Sequence, residues 1–473
     1  MSVDNISDER VQVCMSPECR EEKRYIAEVL LHDFLGWNIS FDERSDIEGI
    51  EIYFPNQKGR LKICEGFFAH ACDQWLDDST LPGSKPRWCK DEALTSIIEE
   101  QSIPVFYGDA HKDGSWWKLE DGTGELALDV FGNSFFFLSR YEEAVSDDCD
   151  EHGRFPSSAS AASRWNVLNR PVVNEYLEIL WGCAKQIWPR IKRKERQFRT
   201  LPSHDIDWPY LFIGVPAVSA CRNSLRGIKR GKLNDVVTWS WQYMLYRLGR
   251  YEADPYNTIP WILDQSDKRD LKSSFYYIPQ QTHLDLDPQD YLGHPHVMAQ
   301  WQMILERCHE IGVHPGYETF ESSEAIAEAA DRIRKALNKL GHADDLFGGR
   351  QHFLRWKTPE TARYWESASL SYDSTLGFAD KPGFRCGVCF EYQLYDVVAR
   401  KSLKLRERPL IVMECSVIDQ QYMGLGLGTA ALNVMASLKD TCQKYHGDFT
   451  ILWHNHRLIE AEEQELYTNL LDH

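Results

Sequence analysis

The chain has 473 residues, enough for two or three domains and at least one large core. Its formal net charge of −19 opposes a phosphate backbone and excludes a dedicated nucleic-acid binder. No uninterrupted apolar run approaches the ~18 residues that span a bilayer, so no membrane span is expected.

In chain order, the opening MSVDNISDER lacks a basic region followed by an apolar one, and no secretory leader is expected. Segment 21–35 places Tyr25, Ile26, Val29 and Leu30 at helical spacing, and 49–54 alternates as a strand does. A polar loop over 146–163 carries His152-Gly153-Arg154-Phe155-Pro156, and 173–181 reads as a helix. The basic run from Arg190 to Arg196 then marks a boundary, with a smaller α+β N-terminal domain over 1–195 and a second domain over 196–473. That run and a second one, Arg222 to Lys232, read as a solvated linker and a solvated surface helix, or else as contacts for an anionic surface or ligand.

The second part alternates short strands with helices. Strands are predicted at 201–206, 273–278, 311–314, 347–353, 370–373, 409–415 and 448–454, and helices at 296–310, 323–340, 359–367 and 427–445. This order predicts an α/β fold with a parallel sheet or barrel, whose reactive side chains sit at the C-terminal strand ends. His, Asp and Arg residues concentrate at those ends.

Asp205 and Asp207 share one face of an extended strand, where two carboxylates need a cation or a proton between them. A turn capping the next element before Trp208-Pro209 is the other reading. His314 ends a strand beside Pro315-Gly316, and Glu318 lies four residues on, so an imidazole and a carboxylate are available for zinc, iron or manganese. Each can equally be structural. Arg350-Gln351-His352-Phe353-Leu354-Arg355 packs cationic and imidazole groups that are costly to bury unpaired, which points to a polar cleft. Asp373 and Arg385 follow, either as a substrate clamp or as a structural ion pair. His454 is a polar tip on the apolar strand ending in Trp453, a placement that suits a general acid.

The 13 Cys include one Cys-x-x-Cys, Cys386 with Cys389, a weak basis for zinc or redox chemistry; a reduced, cytoplasmic protein is expected. The 16 Trp, 21 Tyr and 21 Phe fill cores and also stack on sugar faces.

Taken in order, His-Asp-x-Asp (204–207), Gly-x-His-Pro (312–315), Arg-Gln-His-x-Leu-Arg (350–355), Asp-Ser-x-x-Gly with Gly-Phe-Arg (373–377, 383–385) and Trp-His-Asn (453–455) resemble the polysaccharide-deacetylase (NodB-homology, carbohydrate esterase family 4-like) superfamily. The resemblance covers roughly 200–460. It is closest to a branch with an added N-terminal domain, through residues 137–143 and 152–155. It implies a distorted (β/α)7-type barrel and a metal-dependent hydrolase that removes an acyl group, N-acetyl foremost, from a sugar or polysaccharide precursor.

It also implies Asp205 as catalytic base, Arg355 as the arginine that orients it, and His454 as the group protonating the leaving amine. Asp207 and His314 become ligands of a divalent metal (Zn, or Fe, Mn or Co). The family's acidic pair is adjacent, whereas Ile206 intervenes here, so the two Asp roles are open to exchange. Glu318 stands where the family has a second histidine, which leaves the third ligand to Glu318 or His352. Asp373, Arg385, Trp208 and Trp453 are the candidate substrate contacts. A non-catalytic carbohydrate-binding or scaffold protein on the same barrel is the alternative, and opening of a cyclic imide or removal of a formyl group is a third possibility for the same residues.

Overall fold

The structure is a computed structural model, and it describes residues 10–220, 222, 233–342 and 347–473. The second basic run, apart from Arg222, lies outside the described residues. The chain is α/β, with two main sheets.

The first sheet takes its strands from the N-terminal part: β1 (Arg10–Met15), β2 (Asn38–Glu43), β3 (Ile50–Tyr53), β4 (Arg60–Ile63), β7 (Trp117–Glu120) and β8 (Thr123–Leu126), ordered β2-β1-β3-β4-β8-β7. A separate pair joins β5 (Trp88–Cys89) to β6 (Ile103–Pro104). Helix Val172–Ile187 packs on β4 and β8, and helix Val130–Leu138 on that helix; the latter is buried all round, as its Phe135-Phe136-Phe137 run requires. The predicted helix over 21–35 is α-helical over Arg20–Ala27 and continues as a π-helix over Glu28–Phe34.

The second sheet holds β9 (Arg199–Ile206), β10 (Ser274–Tyr277), β11 (Glu310–Val313), β12 (Gly348–Gly349), β13 (Tyr372–Asp373), β14 (Tyr392–Asp396), β15 (Lys401–Glu407), β16 (Val412–Met413) and β17 (Asp448–Leu452). Its order is β14-β15-β13-β12-β11-β10-β9-β17-β16, parallel throughout except for β14. Intervening helices such as Pro295–Glu306, Ser323–Lys339 and Thr429–Lys444 cover it, as parallel strands need.

The sheet is strongly curled. In a flat sheet, residues three strands apart would stand about 14 Å from each other. Here the hydroxyls of Tyr276 on β10 and Tyr372 on β13 are 3.0 Å apart. Glycines make room for the two rings, since a Cβ on Gly312 would lie 2.6 Å from Tyr276 and one on Gly348 2.6 Å from Tyr372.

The curl stops short of a closed seven-stranded barrel. The hairpin β14–β15, absent from the expected strands, explains why. β14 occupies the free edge of β15, so β16 pairs with β17 alone. The N-terminal part covers this edge in turn: Tyr25 donates to the carbonyl of Gln393 at 2.6 Å, and Glu22 accepts from Tyr395 and Arg400 at 2.9 and 2.7 Å. Position 195 falls in the irregular stretch between helix Val172–Ile187 and β9. Among the described residues Cys19 and Cys72 form a disulfide, an exception to the expected all-thiol state, and ten cysteines are free. No helix among the described residues is long and apolar enough to cross a membrane.

Candidate metal and catalytic centre

The period of two along β9 decides what faces inward. Ser203, Asp205 and, just past the strand end, Asp207 turn to the inside of the curl, while His204 and Ile206 turn out into the helical layer. Arg350, at the end of β12, donates Nη1–H to Asp205 Oδ1 at 2.8 Å and Nη2–H to Ser203 Oγ at 2.9 Å. A third bond from its Nε–H to the Ser374 carbonyl, 2.8 Å long, fixes the guanidinium plane. Arg350 is fully buried, and Asp205 nearly so. The pair is therefore well hydrogen-bonded, the condition under which buried ions are tolerated.

Asp207, His314 and His352 form one cluster, from the ends of β9, β11 and β12. Asp207 Oδ1 lies 3.5 Å from His314 Nε2 and 3.7 Å from His352 Nε2. Two ligands about 2.1 Å from one tetrahedral ion would stand about 3.4 Å apart, so the spacing fits a shared cation. Asp207 Oδ1 and His314 Nε2 are both buried without a hydrogen-bond partner, which is costly unless something occupies the point between them.

The far side of each ring is settled. His314 Nδ1 meets the Arg350 carbonyl at 2.6 Å, and His352 Nδ1 meets Asp287 Oδ1 at 2.7 Å. Each acceptor fixes the proton on Nδ1 and frees the Nε2 lone pair toward Asp207, the usual arrangement behind metal-bound imidazoles. Asp287 is itself held by N–H groups of Thr282, His283 and Tyr317 at 2.7–2.9 Å.

Burial alone would raise the Asp207 pKa, but the His314, His352 and His454 rings outweigh it and hold the carboxyl far below its ordinary range. Burial likewise works against a charged His314, and Asp205 and Asp207 overcome it, so that its pKa rises.

Across the cavity stands His454, after β17. Its Nε2 is 3.8 Å from Asp207 Oδ2, and its Nδ1 is 2.6 Å from Glu414 Oε1. Against the cost of burial, Glu414 and then Cys415 raise its pKa well above the usual imidazole value. Glu414 is buried too, yet His454 and Arg457 bring it down to about 2. The result is a histidine whose protonated form is favoured by Glu414 beside the cluster.

These groups open into a cavity of about 210 Å³, whose other lining residues include Arg154, Gln421, Tyr422 and His456. Arg154 comes from the N-terminal part. It is tied to Asp150 at 2.7 Å and donates to the carbonyl of Phe353 at 3.0 Å, where the backbone is left-handed with φ of +61°.

The structure thus brings together five of the sequence-derived candidates: Asp205, Asp207, His314, His352 and His454. It leaves others outside. Arg350, not Arg355, pairs with Asp205; Arg355 donates to the carbonyls of His152 and Tyr317 at 2.7 Å each and stacks on Tyr317 and Phe320. The turn at Gly316–Phe320 carries the Glu318 side chain out to solvent, 3.9 Å from Arg355, and His352 stands in the cluster instead.

Asp373 is buried beside Thr375 and Glu407, and Arg385 is buried against Glu143 and the Gly377 carbonyl; neither lines the cavity. Trp453 points outward, donating to Glu463 at 3.1 Å and packing on Tyr467. Trp208 is partly exposed and also outside the lining. Asp287 and Glu414 went unnoticed in the sequence. Asp287 sits among other acids, in 283–290, and reads as surface, whereas Glu414 is the one acid of the apolar run 410–418, within a predicted strand, and that isolation was the available cue.

One family model matches residues 12–189, described as a family of unknown function (DUF7033); it covers less than half of the chain. No curated protein matches. Among solved structures, the chain is similar to one described as a polysaccharide deacetylase from Mycobacterium smegmatis, at 14% identity and a TM-score of 0.38, over 59% of this chain and 84% of that one. It is also similar to a described polysaccharide deacetylase from Pseudomonas aeruginosa PAO1, at 11% identity and a TM-score of 0.35, over 58% and 83% of the two chains. The Puue allantoinase matches at 10% identity and a TM-score of 0.34, again over 58% and 83%. Likeness at these scores assigns no function.

Proposed function

We propose that this chain is a metal-dependent hydrolase that removes an acyl group, N-acetyl foremost, from a sugar or sugar-like substrate. One observation carries the proposal. Asp207, His314 and His352 converge with two buried, unsatisfied ligand atoms, between the buried Asp205 carboxylate and His454, whose ring is held by Glu414.

Asp207, His314 and His352 would hold the cation. When bound, a divalent ion such as zinc, iron, manganese or cobalt polarises the acyl oxygen and lowers the pKa of water. Asp205 takes the proton of the attacking water, and Arg350 keeps its second oxygen turned into the cavity. His454 gives its proton to the departing amine, and Glu414 aims the ring. Acetate and a free amine are the products.

In this proposal residues 196–473 form the catalytic part, and residues 1–195 form a second part that closes one wall of the cavity through Arg154. A cytoplasmic placement belongs to the same proposal, supported by the ten free thiols among the described residues. A purely carbohydrate-binding role is disfavoured, because a binding site has no need of orphaned, converging metal ligands.

The test is metal analysis of the purified full chain, with amine and acetate release measured on N-acetylated sugar oligomers and a cyclic imide. Bound metal and turnover, both lost in Asp207→Ala, are expected. A metal-free, inactive wild-type protein indistinguishable from Asp207→Ala overturns the proposal.

A further inference from the structure

The basic run that joins the two parts of the chain lines a cavity of about 640 Å³. This cavity shares no lining residue with the one at Asp207. Phe34, Leu35 and Trp181 come to it from the N-terminal part, and Phe390 and Tyr445 from the second part. Lys192, Arg193, Lys194 and Arg196 line it between them, with Glu178 and Glu195 as the acids. Four Lys or Arg against two carboxylates leave an excess of two positive charges, in a chain whose net charge is −19.

Most of that charge is unanswered. Arg193 is the exception, since its Nη1 meets both Glu178 oxygens at 2.7 Å. Lys192, Lys194 and Arg196 form no ion pair among the described residues. Lys194 Nζ and Arg196 Nη2 reach only the neutral carbonyl of Asp33, at 3.4 and 3.1 Å, while the Asp33 carboxylate lies 3.7 Å from Arg406. The Arg196 guanidinium stands 4.1 Å from the Phe390 ring centre and 5.3 Å from that of Phe34. Its Nε–H is buried with no acceptor. Tyr445, 7% exposed, also has a hydroxyl without a partner. Burial, and then the charge of Arg196, lower the Lys194 pKa from the ordinary amine value. A solvated linker would leave its cations in water. Here a guanidinium with an unmet donor is packed between rings at a cavity, which is costly unless an acceptor enters.

The excess of two charges selects the ligand. A carboxylate or a sulfate ester brings a single negative charge, whereas a phosphomonoester brings about 1.5–2 at neutral pH. Arginine meets phosphate through its fork and lysine as a point charge. The volume is that of a small-molecule site, and the partly exposed Trp181 ring offers apolar surface for the carbon part. We propose that Lys192, Lys194 and Arg196 hold the phosphate of a small phosphomonoester in this cavity, where the ligand bridges the two parts of the chain. The site stands or falls apart from the hydrolase proposal, because its test reads binding alone.

The full chain is titrated calorimetrically with phenyl phosphate, and with phenyl sulfate as a monoanion of the same shape, at constant ionic strength. Saturable binding of phenyl phosphate is expected, with phenyl sulfate about tenfold weaker or more. Lys192→Ala combined with Lys194→Ala, at two exposed positions, should weaken phenyl phosphate about tenfold or more. Arg196→Lys keeps the charge without the Nε donor and should weaken it too; this variant decides the matter if the double variant fails to fold by circular dichroism. Asp207→Ala should bind as the wild type does. A wild-type chain with no saturable binding overturns the proposal, and so does equal affinity for the two esters. Loss of binding in Asp207→Ala would place the anion at the metal centre, and binding unchanged in both lysine and arginine variants would place it elsewhere; either result overturns the site. Sedimentation with phosphatidic acid vesicles by a chain that ignores phenyl phosphate would also overturn it, and give the cations to a lipid headgroup.

Discussion

Arg350 and Asp205 meet at 2.8 Å from strands that two others separate, both side chains buried. The contact exists only because the sheet curls, and it ties the curl to the chemistry. Removing the guanidinium leaves an uncompensated buried carboxylate, whose cost is about 3–5 kcal/mol. Arg350→Ala is therefore expected to lower the urea midpoint strongly. Arg350→Lys keeps the charge but not the fork that also reaches Ser203 and Ser374, and should recover only part of the loss. Equal stability of Arg350→Ala and wild type would show that the pair does not hold the site.

Asp287 acts through His352. Replacing it by Asn keeps the volume and removes the charged acceptor at His352 Nδ1. Metal affinity, read by competition with a chelator, should weaken about 10–100-fold. The same competition on Glu318→Gln should be unchanged, since that carboxylate faces solvent. A weakened metal in Glu318→Gln with an unaffected Asp287→Asn would reverse the assignment of the third ligand.

Much of this centre was legible in the sequence because strands and helices carry a period. The alternation of β9 put Asp205 and Asp207 on one face, and β10, β11, β13 and β17 fall where apolar runs end in polar residues. What failed to show was contact across the curl. Sequence spacing cannot tell whether Arg350 or Arg355 meets Asp205, because the left-handed turn at Phe353 and Leu354 decides it. In the hairpin β14–β15, β15 does alternate, with Leu403 and Leu405 buried between Ser402, Lys404 and Arg406, but its charged residues resemble a solvated surface, so the open edge of the sheet went unforeseen. Asp287 and Glu414 are both buried acids; Asp287 lies in an acidic stretch that gives no sign of burial, while Glu414 is set in the apolar run 410–418, a sign of burial but not of the partner it meets.

Glu414 should separate proton donation from metal binding. Glu414→Gln preserves the shape around His454 Nδ1 but withdraws the charge that keeps the ring protonated. Turnover should fall about 10²-fold or more while bound metal stays at the wild-type level. His454→Ala should lose at least as much. Loss of metal in Glu414→Gln would mean that His454 belongs with the ligands and not with the acid.

His204 offers a pH signature that is independent of catalysis. It faces away from the cavity, with Nδ1 2.8 Å from the Trp453 carbonyl and Nε2 3.3 Å from the Tyr467 hydroxyl. Burial brings its pKa down to about 4, with the Trp453 carbonyl opposing only in part. An unfolded histidine titrates near 6.5. Above about pH 6.5 both states are neutral, and the full contribution to stability is present. Between about 6.5 and about 4 the unfolded chain binds a proton that the folded chain refuses, so stability falls as the pH falls. The loss approaches about 3 kcal/mol, and below that window it stays constant. His204→Gln cannot take up a proton in either state. The stability difference between wild type and His204→Gln, from urea unfolding at several pH values, should therefore shift against the wild type across this window. A difference that is flat with pH would show that His204 is protonated in the folded chain, and that the layer around Trp453 and Tyr467 is wet.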